Sequence, residues 1–147
     1  MALGRFCLIW IICLLLSPCS GLAAAPQSGV IEGSLSYPSE FIPPDMTICA
    51  EEVATKKIYC TNKHLNARKY RYKVGYKLTV PAGDYHVYAQ LPDPARYGAE
   101  YPKDYRAYYS QFVKCGMSVD CKDHTPIVVQ IKSGQTASGI DPQDWYN

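Results

Sequence analysis

The chain has 147 residues, with 15 Lys and Arg against 13 Asp and Glu, and 48% of its residues are apolar. That length holds one domain of ordinary size and leaves no room for a second. The near-neutral balance excludes a nucleic-acid binder that relies on a dominant positive field, and the apolar fraction excludes wholesale disorder.

Residues 1–25 read as a leader. One cation, Arg5, precedes the apolar run FCLIWIICLLL at 6–16, and Ala23, Ala24 and Ala25 supply a small-residue cleavage site. This is the layout of a secretory signal peptide. The run is shorter than the roughly 20 residues a membrane-spanning helix needs, and no later segment is apolar enough to span a bilayer. A lipoprotein anchor at Cys19 is the rival reading, but Pro18 stands where such signals want a small residue. The expected mature protein is residues 26–147, a single domain that is periplasmic or secreted. Four cysteines remain in it, Cys49, Cys60, Cys115 and Cys121. An even count in a small exported domain reads as two disulfides. A zinc site is the alternative, but neither spacing is a C-x2-C knuckle.

Residues 30–37 alternate, with Ile31, Gly33, Leu35 and Tyr37 on one side, and Met46, Ile48 and Ala50 alternate in the next segment. A hairpin centred between Ala54 and Thr55 leads into 57–61 and pairs residues whose numbers sum to 109. Cys49 then lies opposite Cys60, and Cys115 is left to pair with Cys121, closing a loop at 115–121. Along 69–80, Tyr70, Tyr72, Val74, Tyr76, Leu78 and Val80 take the even positions, while Lys69, Arg71, Lys73 and Lys77 take odd ones. This period of two predicts one long strand with a buried face, bulged or bent at Gly75. Pro81-Ala82-Gly83-Asp84 reads as a turn into a return strand at 85–91. In that hairpin Val80 faces Tyr85, Leu78 faces Val87 and Tyr76 faces Ala89, and His86 points away from the core. Strands at 105–113, 127–131 and 135–140 complete the set. About seven or eight short strands punctuated by Pro and Gly predict a small all-β antiparallel sandwich.

The runs GVIEGSLSY (from Gly29), MTICA (from Met46) and YKLTVPAGDYHVYA (from Tyr76) resemble the carboxypeptidase regulatory-like domains, which have the prealbumin-like (transthyretin-like) Greek-key sandwich fold. The family signatures are a G-x-V-x-G opening strand and a V-P-A-G-x-Y hairpin; here they correspond to GVIEG at 29–33 and VPAGDY at 80–85, with the turn Lys132-Ser133-Gly134-Gln135-Thr136 before the last strand. The resemblance implies an accessory binding or structural module without catalytic residues or a cofactor. Two segments depart from the simple pattern, a tyrosine-rich insertion at 92–110 and the 115–121 loop with His124 just beyond it, and individual function is expected there.

The sequence holds 13 tyrosines. Tyr37, Tyr70, Tyr72, Tyr76 and Tyr85 fall on the core faces of predicted strands, and Tyr59 joins them. Tyr97, Tyr101, Tyr105, Tyr108 and Tyr109 cluster in the insertion. An apolar ring with a polar tip suits carbohydrate stacking and protein interfaces, so these five are candidate binding residues; the bland reading has them cover an open end of the sandwich. Arg68, Lys69, Arg71, Lys73 and Lys77 form a basic stripe for an anionic polymer, or a solvated sheet face partly neutralised by Glu51 and Glu52. Asp120, Asp123 and His124, with Asp141 and Asp144 beside Trp145, are weak candidate ligands for a divalent ion, without EF-hand or H-x-x-x-H spacing. Trp145 and Tyr146 are expected to pack the C-terminus down.

Enzymes on the same sandwich fit poorly: there is no H-x-H pair of an intradiol dioxygenase, no closing Y-R-G-S of a hydroxyisourate hydrolase and no G-x-S-x-G elbow. The expected function is an exported, non-catalytic module that contacts an extracellular protein, or an anionic or carbohydrate surface polymer. The alternatives are a metal-dependent enzyme using His124, and a subunit of a surface or envelope assembly.

Overall fold

A computed structural model describes residues 27–98 and 100–146; the expected leader lies outside the described residues. The alternating apolar positions build two facing sheets. In one, β4 (His64–Asn66), β5 (Val74–Pro81), β1 (Ser28–Ser34) and β9 (Thr136–Ala137) lie side by side in that order. In the other, β3 (Ile58–Thr61), β2 (Thr47–Glu52), β6 (Gly83–Gln90) and β7 (Ala107–Tyr108) do so, and β8 (Val128–Ile131) pairs the first half of β6. All pairs are antiparallel except β1 with β9. The result is a small all-β sandwich with two disulfides, Cys49–Cys60 and Cys115–Cys121. Ile31, Leu35, Ile48, Tyr76, Leu78, Val80, Tyr85, Val87, Val129 and Ile131 fill the space between the sheets. A second cluster at one end gathers Met46, Ala89, Leu91, Ala107 and Trp145.

The β2–β3 hairpin has the expected register, with Cys49 opposite Cys60 and Ala50 opposite Tyr59. The hairpin expected between 69–80 and 85–91 does not form. β5 pairs with β1 and β4, whereas β6 pairs with β2, β7 and β8. The chain crosses from one sheet to the other at Pro81-Ala82-Gly83. Two strands with apolar residues on one face satisfy the same pattern as neighbours in a sheet or as opposing walls of a core, so alternation alone does not separate these cases.

Four further strand expectations are revised. β5 starts at Val74, not at residue 69. Residues 67–73 form turns in which Tyr70 N–H donates to the Ala67 carbonyl, Lys73 N–H donates to the Tyr70 carbonyl and Lys73 has a φ of 60°. That left-handed residue breaks the period of two, so Tyr70 is buried but Tyr72 is 53% exposed. Residues 105–113 yield only β7 and a four-residue helix, α1 (Gln111–Lys114), and 135–140 yields only β9. Gly75 marks no bulge, because pairing with β1 continues through Ser34↔Gly75. It is a close approach instead, since a Cβ there would strike the Tyr70 ring and the Gly33 carbonyl.

The basic stripe is interrupted by the same turn. Lys77 lies opposite Glu32 on the solvent face of the β1–β5 pair. Both Lys77 (3.3 Å) and Lys69 bond the Glu32 carboxylate. Glu32, rather than Glu51 or Glu52, is therefore the neutralising acid; Glu51 is engaged by Lys56 and Arg106. The Lys69 hydrogen bond, outweighing desolvation, and then Lys77 hold the Glu32 carboxyl below its ordinary value of 4.5. A depressed carboxyl stabilises the fold above its unfolded pKa, and that contribution disappears as pH falls through the folded value. Glu32→Gln is thus expected to unfold at lower urea than the parent near pH 7, with the gap narrowing as pH falls below the ordinary carboxyl range; a gap absent at pH 7, or one that does not change with pH, would contradict it.

Candidate functional site

The residues connecting β1 to β2 carry a concentration of rings and prolines, Tyr37-Pro38-Ser39-Glu40-Phe41-Ile42-Pro43-Pro44. This loop forms one wall of a groove of about 620 Å³, within the range of small-molecule sites. His64 and Asn66 of β4, Tyr72 and Val74 at the start of β5, Met117, and Gln143, Trp145 and Tyr146 complete the lining. Three rings at its rim are open to solvent: Phe41 (55%), Tyr72 (53%) and Tyr146 (62%).

Trp145 is the anchored ring of the site. It is buried, and its indole N–H donates to the Ser36 carbonyl at 2.9 Å. Tyr37 meets it edge-on at 5.1 Å. Tyr101 and Tyr105 stack on each other at 4.4 Å and both lie against Trp145. The Tyr101 hydroxyl donates to the Trp145 carbonyl at 3.3 Å. Tyr97 packs on Phe41 at 6.0 Å and donates its hydroxyl to Asp45 at 2.5 Å. That bond, above all, pushes the Tyr97 phenol above its usual range.

The tyrosine-rich insertion therefore braces the groove more than it presents rings to solvent. Tyr97, Tyr101 and Tyr105 are half-buried against the end cluster. Tyr109 is buried in the main core. Tyr108 lies on the outer face of the second sheet beside Tyr88, over which the Arg106 guanidinium sits at 4.4 Å. Of the basic candidates, Arg68, Arg71, Lys73 and Lys77 are exposed and none lines the groove. The Arg71 guanidinium lies 5.7 Å from the Tyr72 ring centre.

The acidic and histidine candidates separate. Asp120 is exposed. Asp123 caps its own turn by accepting from Thr125 N–H at 2.9 Å, and this hydrogen bonding lowers its pKa. His124 turns inward, with Nδ1 2.9 and 3.0 Å from the two oxygens of the fully buried Asp144. The Ser110 hydroxyl donates to the same carboxylate at 2.6 Å. The order is Ser–Asp–His: the serine faces the acid, not the imidazole that would activate it in a nucleophilic triad. His124 also stacks on Phe112 at 4.5 Å, and Phe112 meets Tyr146 edge-on. Among the described residues, no group of three or more His, Cys, Asp or Glu side chains is arranged to hold a metal ion, and no helix is long and apolar enough to cross a membrane.

Sequence reasoning missed Phe41, Tyr72, Tyr146, His64 and Gln143 as members of one site. Tyr72 was hidden by the apparent period of two, and Tyr146 is open rather than packed down. The one available signal was a loop and a tail rich in rings, YPSEFIPP and DWY, of which only Tyr37 belongs to a strand pattern. Comparison with protein-family models, curated proteins and solved structures returns no match.

Proposed function

We propose that this chain is an exported, non-catalytic binding module of the prealbumin-like kind, and that its extracellular partner is seated in the groove beside Trp145. The observation that carries the reading is convergence: the exposed large aromatic residues of the described chain, Phe41, Tyr72 and Tyr146, all border one groove. Open rings around a concave surface mark an interaction site. The leader-like run at 6–16 and the two disulfides support export. The family assignment rests on the motifs at 29–33 and 80–85.

An affinity column of the mature protein, loaded with surface material from the producing organism, tests this reading. The parent is expected to retain a component that Phe41→Ala/Tyr72→Ala/Tyr146→Ala does not, at unchanged urea midpoint. Equal retention by the triple variant contradicts the reading.

A further inference from the structure

Resting on the binding-module reading, we infer that the groove takes a neutral glycan. The charge of the lining decides against an anion. Its polar residues are Ser36, Ser39, Glu40, His64, Asn66 and Gln143, with no Lys or Arg among them. A uronate, sulfate or phosphate would meet the Glu40 carboxylate without a counter-charge inside the groove, an arrangement that costs free energy on desolvation.

The aromatic residues supply the second requirement. A pyranose ring presents C–H groups on its faces and hydroxyls around its edge. The faces pack on open rings, and Phe41, Tyr72 and Tyr146 are each about half exposed or more. Their supports hold them ready: Tyr97 behind Phe41, Arg71 beside Tyr72, and Phe112 beside Tyr146. A surface held in the bound geometry before the ligand arrives loses less entropy on binding.

The third requirement is met by Gln143. It lines the groove, is 1% exposed, and its amide nitrogen has no hydrogen-bond partner. A buried donor without a partner is destabilising, and an acceptor on the ligand would satisfy it. Glu40, in contrast, only accepts. A sugar hydroxyl both donates and accepts, so one kind of group satisfies both side chains. A proline-rich peptide, the other ligand that docks among rings, presents carbonyl acceptors and few donors. Trp145, the anchored ring, spends its N–H on Ser36 and has none left for such a carbonyl.

Trp145 is also the reporter, because the only other tryptophan, Trp10, lies in the leader. The probes are neutral oligosaccharides (β-glucan, mannan and chitin fragments), an oligogalacturonate and a proline-rich peptide, titrated against the mature protein while Trp145 emission is followed. At least one neutral oligosaccharide is expected to shift the emission saturably. Its affinity should change less than about twofold between low and high salt. It should fall about tenfold or more in Tyr72→Ala, and also in Gln143→Leu at unchanged fold. Binding of only the oligogalacturonate with steep salt dependence, of only the peptide, or of none of the probes overturns the glycan inference. The binding-module reading fails separately, if retention of surface material is indifferent to the three ring substitutions.

Discussion

Asp144→Ala is expected to lower the stability of the fold by about 2–4 kcal/mol and to abolish binding at the groove. The carboxylate is fully buried and is the shared acceptor of Ser110 at 2.6 Å and His124 at 2.9 Å. Its removal strands the Ser110 hydroxyl, itself 0% exposed; an orphaned buried donor costs about 1–3 kcal/mol, and a lost bond to a charged group about 1.5–3 kcal/mol before the two are allowed to overlap. His124 is partly exposed and regains water, so it adds little. Against a typical total of about 5–15 kcal/mol the loss is large. It is also local to the site, since Gln143 and Trp145 flank Asp144 in sequence and Asp144 N–H donates to the Tyr108 carbonyl. Urea unfolding near pH 7 measures the effect. Ser110→Ala in the Asp144→Ala background should restore part of it, because the stranded hydroxyl goes too, and a double-mutant cycle isolates that coupling. A midpoint within about 1 kcal/mol of the parent would show that the carboxylate is not a structural hub.

How much of this was legible in the sequence depends on the range of each signal. The strand faces were legible because alternation is local: Tyr76, Leu78, Val80, Tyr85 and Val87 are all buried. The Cys49–Cys60 bridge was legible because a tight turn fixes its own register. Which sheet a strand joins was not legible, and β5 and β6 part company at Ala82 although both obey the rule for a hairpin. The phase break at Lys73 was hidden because its left-handed backbone needs no glycine here. Within the site, the insertion at 92–110 was legible as a tyrosine cluster, but its packing against Trp145 was not. A tyrosine count does not tell a ring that binds from a ring that supports, and the answer came from Trp145, which lies 44 residues from Tyr101 along the chain yet takes its hydrogen bond. The 115–121 loop likewise contributes through Met117, a groove residue at a φ of 55°, and not through its acids.

The second large effect is alkaline. Tyr76 is fully buried, with its hydroxyl donating to the Ile140 carbonyl at 2.8 Å. Burial, and then the charge of Asp141, pushes its phenol well above the ordinary 10.0. Burial raises Tyr37, Tyr85, Tyr88 and Tyr101 as well. A group whose folded pKa is raised stabilises the fold below its unfolded pKa, and that stability is lost as pH climbs from there toward the folded value. Above about pH 10 the unfolded chain therefore releases phenolic protons that the native chain keeps. A phenol that stays protonated in the fold while its unfolded counterpart ionises costs up to about 1.4 kcal/mol for each further pH unit, so Tyr76 is expected to steepen the loss of stability above pH 10, with the partly buried tyrosines adding to the slope. Phenolate absorbance should accordingly rise in two stages, the second coinciding with loss of β-sheet circular dichroism. Tyr76→Phe separates this cause from general alkaline damage. Near pH 7 it is less stable by about 1–3 kcal/mol, because the Ile140 carbonyl loses its buried donor. Above pH 10 its stability falls less steeply than that of the parent, by the one proton the variant no longer carries. Parallel slopes for the two proteins would mean that another group governs the alkaline transition.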